Sequence, residues 1–113
     1  HLTGGAVDLT LRSKSSGELL FMGGIFDDSS ELSASNFFER KSSSICHSSQ
    51  SAAQARRNRR LLYWLMDEAG FANYANEWWH FDFGTQMWVY NSSNLKEQKA
   101  IYGRALSEKQ AEN

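Results

Sequence analysis

Two short stretches concentrate the residue types that do chemistry. In NEWWHFDFG, residues 76–84, the carboxylate Glu77 stands three residues ahead of the imidazole His80, among aromatics. In HLTGGAVD, residues 1–8, a second imidazole, His1, precedes a second carboxylate, Asp8. Catalytic zinc takes three protein ligands of these types and keeps a further position for water. His1, Asp8 and His80 are the candidate ligands. The ion lowers the pKa of such a water toward ~7, and a nearby carboxylate can take its proton as it attacks a carbonyl. Glu77 is the candidate base.

Strand geometry constrains how these groups can meet. Residues three apart on a regular strand face opposite ways. Glu77 and His80 therefore cannot serve one metal from an unbroken strand. Glu77 belongs in a loop or bulge ahead of the strand, and His80 belongs inside it. Trp79, Phe81 and Phe83 then form the core face, while His80 and Asp82 share the face of the site. His1 and Asp8 need a turn to come together, and Gly4-Gly5 supplies residues suited to one. Taken alone, E-x-x-H and H-x6-D are weak signals. They fit equally a hydrogen-bonded core histidine beside a surface carboxylate, with His1 frayed at the chain end.

Other reactive residues carry less. Cys46 and His47 are adjacent, so their side chains do not face one another, and no third group orients them; a Cys-His nucleophile is rejected. His47 sits in a serine-rich stretch and reads as exposed, not as a fourth ligand. The RRNRR run, residues 56–60, reads as a solvated helix face. A net charge of −1 with no second basic patch gives no drive toward nucleic acid or an anionic membrane. Trp64 and Trp88 read as core or groove lining, and Asp67-Glu68 as surface charge. A single cysteine excludes an internal disulfide and a thiolate metal cluster. No apolar run approaches the ~18 residues of a membrane span.

The elements that must position the site follow from periodicity. The chain's 113 residues, 41% of them hydrophobic, suffice for one small packed domain, residues 1–113. AVDLTL alternates, predicting a strand with Val7, Leu9 and Leu11 toward the core and Ala6, Asp8 and Thr10 on the other face. Residues 12–18 form a polar turn, and Leu19–Met22 a second strand ended by Gly23-Gly24. Residues 25–39 form a functional loop with one helical turn, and residues 41–50 a mobile surface segment. The spacing of Ala52, Ala55, Leu62, Met66 and Ala69, joined by Leu61 and Leu65, predicts a helix over Ser51–Ala69, capped by Ser49 or Ser51 and stopped by Gly70. Residues 71–76 connect. Glu77–Phe83 and Gln86–Tyr90 are predicted strands joined around Gly84-Thr85. Residues 91–94 turn, and Leu95–Leu106 is a predicted helix. The fold class is α+β: a small, mainly antiparallel sheet with the long helix on its core face and the metal on the other.

Four stretches in order, HLTGGAVDLTL, MGGIFDDSSELS, RRNRRLLYWLMDEAGF and NEWWHFDFGTQMW, resemble the zinc D-alanyl-D-alanine dipeptidases. These are relatives of the vancomycin-resistance dipeptidases and group with D,D-carboxypeptidases that share the Hedgehog-type zinc fold. The resemblance runs from His1 to about Gly103, and H-x6-D combined with E-W-W-H makes it specific. It implies one zinc ion per chain, held by His1, Asp8 and His80, with Glu77 as general base. It also implies that Asp27 binds the free ammonium group of the substrate, the dipeptide D-Ala-D-Ala. In the family, a serine two residues before the first histidine and an oxyanion-stabilising arginine further upstream contribute to the site. Both precede His1, so the resemblance implies the C-terminal portion of such an enzyme. Ala34 stands where relatives often carry a histidine. The alternatives are a D,D-carboxypeptidase or peptidoglycan endopeptidase of the same fold, and a non-catalytic fragment or binding module. The resemblance implies a bacterial protein of cytoplasm or periplasm, and the lone cysteine slightly favours the reducing cytoplasm.

Overall fold

The computed structural model describes residues 1–40, 48–92 and 99–104. The sheet has three short strands, β1 (Ala6–Asp8), β2 (Ala72–Asn73) and β3 (His80–Asp82). Their order is β1-β3-β2, with both pairings antiparallel. In the register, Ala6 faces Asp82, Val7 faces Phe81 and Asp8 faces His80. The ladder runs on past the strands: Leu9 N–H donates to Trp79 O (3.0 Å), Phe83 N–H to Gly5 O (2.8 Å) and Tyr74 N–H to His80 O (3.0 Å). Aromatic residues at alternate positions make β3 a central strand, since Trp79 and Phe81 need cover on their face.

Helix α1 (Ser49–Glu68) gives that cover. Its buried stripe is Ala55, Arg59 and Leu62, and Met66 packs partly buried against the core. Met22, Leu62, Trp78, Trp79 and Phe81 form the core cluster. Leu61 and Leu65, expected with the stripe, are 49% and 48% exposed. At 100° per residue they lie to one side of the axis through Ala55, Leu62 and Met66. Ala69 is the C-terminal cap and is exposed. The N-terminal cap is Ser48, not Ser49 or Ser51; its hydroxyl accepts the Ser51 N–H at 3.1 Å. Gly70, at φ +87°, ends the helix as the sequence suggests.

Several predicted elements take another form. Leu19–Met22 is no strand; it makes one isolated bridge, Arg12 to Leu19, which closes the expected polar turn. Beyond it the backbone carbonyls of Phe21 and Met22 are taken by Asn58 and Arg59 of α1 instead of by a ladder. Residues 25–39 carry two 3-10 turns, Glu31–Ser33 and Phe37–Glu39. Ala72–Asn73, predicted as connection, is an edge strand. Gln86–Asn91, predicted as strand to Tyr90, is helix α2. Gly84 (φ +70°) turns the chain, and the Thr85 hydroxyl then accepts the Trp88 N–H, which caps a helical turn. Val7 is 38% exposed because α1 packs against β2 at the far edge of the sheet. Val7 instead lines a shallow groove with Phe71, Phe83 and Tyr102.

The predicted Leu95–Leu106 helix falls partly outside the described residues. Its described portion, residues 99–104, is not helical, and the Ile101 and Tyr102 N–H groups donate to Gly84 O at 2.7 and 2.9 Å. Cys46, His47 and the rest of the serine-rich segment up to residue 47 also lie outside the described residues. Among the described residues no helix is long and apolar enough to cross a membrane.

Candidate metal centre

Asp8 and His80 are direct cross-strand partners, so their side chains rise from the same face of the sheet. His80 Nδ1 lies 3.0 Å from Asp8 Oδ1. His1 reaches the other oxygen of the same carboxylate, with Nε2 3.3 Å from Asp8 Oδ2. The two imidazole rings stand edge to face, centroids 5.1 Å apart.

The path from His1 to Asp8 is a tight turn. Gly4 N–H donates to His1 O (3.1 Å), Gly4 has φ +73°, and the Thr3 hydroxyl accepts from Gly5 N–H (3.3 Å). A Cβ on Gly5 would sit 2.4 Å from Phe83 O, so only glycine lets this lead lie flat against the end of β3.

Glu77 lies in the turn ahead of β3, and His80 is the first residue of the strand. Glu77 N–H donates to Tyr74 O (3.0 Å), and Asn73 Nδ2 donates to both Glu77 O (3.1 Å) and His80 O (3.0 Å). These two hydrogen bonds across the turn fix the Glu77 backbone beside the strand. Glu77 Oε2 is 3.8 Å from His80 Nδ1. Glu77 also borders an open polar groove of about 450 Å³, lined among others by Asp28, Arg40 and Tyr74.

Behind the cluster, His80 Nε2 lies 2.7 Å from Asp82 Oδ2. Asp82 is buried, and its other oxygen accepts from the Thr85 hydroxyl at 2.9 Å. Sequence parity put Asp82 on this face but gave it no task, and it passed over Thr85 and Asn73. The available signal was an acid two residues after His80 with a hydroxyl three residues further on.

Asp27 is exposed, with φ +59°, a conformation that Asp tolerates better than most side chains. The preceding ring, Phe26, packs on Trp78 and Trp79, with centroids 5.4 and 5.8 Å away. This ties the loop to the Glu77–His80 segment. Among the described residues the carboxylate of Asp27 has no partner, and it is not part of the cluster.

His1, Asp8 and His80 each present one ligand atom, and these atoms all lie within 4.8 Å of one another. Two nitrogens and one carboxylate oxygen, on a face reached from solvent, suit a divalent transition metal. The family model for peptidase M15, D-ala-D-ala dipeptidase, matches residues 1–100. The chain belongs to the peptidase M15 family. That family is metal-dependent, in keeping with the donor set. The chain is 37% identical over 107 residues to a D-alanyl-D-alanine dipeptidase of Synechocystis, covering 92% of this chain and 43% of that protein. It is 40% identical over 82 residues to the Escherichia coli D-alanyl-D-alanine dipeptidase, covering 73% and 36%. With the Enterococcus faecium protein of the same name the identity is 39% over 83 residues, covering 72% and 35%. The chain thus spans less than half the length of these relatives.

Proposed function

We propose that this chain carries the zinc centre and general base of an enzyme that hydrolyses D-Ala-D-Ala to two D-alanines. The observation that supports this reading most is the convergence of His1, Asp8 and His80 within 4.8 Å, with Glu77 Oε2 3.8 Å from His80 Nδ1. His1, Asp8 and His80 would hold one ion. Zinc, when bound, supplies Lewis acidity: it polarises a carbonyl and makes water acidic enough to lose a proton near neutral pH. Glu77 takes that proton as the water attacks the peptide carbon, then passes it to the departing amine nitrogen. The Asn73 bonds across the turn hold Glu77 in place for both transfers. Asp27 pairs with the substrate's free ammonium group and so favours a dipeptide over longer peptides. The same reading assigns the three-stranded sheet to the Hedgehog-type zinc fold.

The test measures zinc content and D-alanine release from free D-Ala-D-Ala and from a muramyl pentapeptide. Bound zinc at one equivalent with turnover of the dipeptide is expected. Turnover of the pentapeptide alone replaces the dipeptidase with a D,D-carboxypeptidase. Zinc bound without turnover of either substrate replaces it with a non-catalytic fragment or metal-binding module.

A further inference from the structure

His1 and His80 are held very differently. The His1 side chain is 59% exposed, and among the described residues its second ring nitrogen has no partner. His80 is 13% exposed, and both of its ring nitrogens face carboxylate oxygens. Its Nδ1 points to Asp8, and its Nε2 to Asp82. An imidazole that ligates a metal through one nitrogen carries its hydrogen on the other, and a fixed acceptor for that hydrogen sets both tautomer and ring orientation.

Among the described residues the Asp82 carboxylate has no side-chain partners besides His80 and Thr85. A carboxylate that is 3% exposed costs free energy unless its oxygens are satisfied. One oxygen faces His80 Nε2 and the other takes the Thr85 hydroxyl hydrogen. Thr85, 5% exposed, has its own lone pair occupied by the Trp88 N–H at 3.0 Å. Trp88 is tied in turn by its indole N–H to Gly70 O at 2.8 Å, at the end of α1. Each hydrogen in this series is used once. It runs from the turn after α1, through the cap of α2, to the imidazole.

We propose that Asp82 and Thr85 are positioning residues for the metal centre: Asp82 holds the hydrogen on His80 Nε2, which leaves Nδ1 as the ligand atom, and Thr85 holds Asp82. This inference rests on the metal-centre reading above. Neither residue belongs to the candidate ligand trio of His1, Asp8 and His80. Among the described residues His80 alone of the three is locked from behind, so it sets the geometry that the exposed His1 adapts to.

The experiment measures zinc affinity of the full chain by competition with a chromophoric chelator, for wild type and for D82A, T85V and T85S. Melting of the metal-free proteins is followed in parallel. Removing a carboxylate behind a metal-bound histidine typically weakens binding ~10–100-fold, and D82A should fall in that range. T85V keeps the shape of threonine but loses the hydroxyl, so it should weaken binding several-fold. T85S restores the hydroxyl and should bind as wild type does. Long-range ¹H–¹⁵N spectra of the zinc-loaded wild type should show His80 with its hydrogen on Nε2. A hydrogen on Nδ1, or D82A and T85V binding zinc as wild type does, overturns the inference and leaves the metal centre standing. Equal weakening in T85V and T85S also overturns it, because the hydroxyl then carries nothing. A wild-type chain that binds no zinc overturns the metal-centre reading and this inference together.

Discussion

Replacing Arg59 with methionine tests what holds the candidate site against the helix. Arg59 lies in the buried stripe of α1, 5% exposed. Its Nε donates to Met22 O (2.7 Å), Nη1 to Ala34 O (2.8 Å) and Nη2 to Leu32 O (2.7 Å). The guanidinium also sits 4.7 Å from the Phe38 ring centre and 5.5 Å from that of Trp78. Burial pushes its pKa down to about 10, so it stays charged at neutral pH. That displacement corresponds to roughly 3 kcal/mol of desolvation cost.

Against it stand three charge-assisted hydrogen bonds at ~1.5–3 kcal/mol each, about 4.5–9 kcal/mol gross, and ring contacts of ~1 kcal/mol. Methionine removes both sides of the balance. Ala34 O keeps a second donor, the Phe37 N–H, whereas Met22 O and Leu32 O lose theirs. The net loss should be about 3–5 kcal/mol, a large part of the ~5–15 kcal/mol that holds a domain together. In urea the midpoint should fall with an unchanged slope. The melting temperature should drop by roughly 12–20 °C, at about 4 °C per kcal/mol for a chain of this size. Arg59→Lys keeps the charge without the three-way fork and should recover only part of the loss. An Arg59→Met protein as stable as wild type would refute the reasoning, because the cost of burying the charge would then outweigh its bonds.

Four further outcomes are expected. Glu77→Gln should keep metal while D-Ala-D-Ala hydrolysis falls ~10²–10⁴-fold, whereas His80→Ala should lose the metal; metal analysis beside a D-alanine assay separates the two. Gly5→Ala drives a Cβ to 2.4 Å from Phe83 O and 2.8 Å from Thr85 Cγ2. It should cost ~1–3 kcal/mol in urea unfolding and weaken metal binding, since the lead carrying His1 must shift. Hydrogen bonds from Arg60, chiefly, hold the Glu39 carboxyl below its ordinary value of 4.5. A depressed folded pKa stabilises the protein above the unfolded value, and that contribution disappears as pH falls through the lowered one. Arg60→Ala should return the Glu39 titration, followed by NMR, toward 4.5 and remove this part of the acid sensitivity.

The split of the Glu77–His80 segment into turn and strand was legible because a strand's period of two cannot place both side chains on one face. The long helix was legible from its stripe and its glycine stop. The meeting of Asp8 with His80 was not, because strand register is a tertiary property. Arg59 was counted with the solvated RRNRR face. Its burial depends on carbonyls from irregular backbone between Met22 and Ala34, which leaves no periodic trace. Helix α2 was missed because Met87, Trp88, Val89 and Tyr90 favour strands by type, and the Thr85 cap outweighs that preference. Asp82 was on the correct face, yet its bond to the imidazole depends on the rotamers of two residues.

The pairing of Asp8 with His80 joins positions 72 residues apart. Closing a loop of that length costs about 4 kcal/mol of chain entropy by the logarithmic rule. A metal site built within one helix forms as soon as the helix does, but this one exists only after β1 and β3 have met in register. A slip of one residue would turn Asp8 to the opposite face and dissolve the cluster. An ion bound there would capture a sheet already closed. At a thousand times its dissociation constant it would add ~4 kcal/mol to the folded state, about the entropy that the loop gave up. A metal held there would therefore also act as a clasp, and its occupancy would report whether β1 and β3 have met in register.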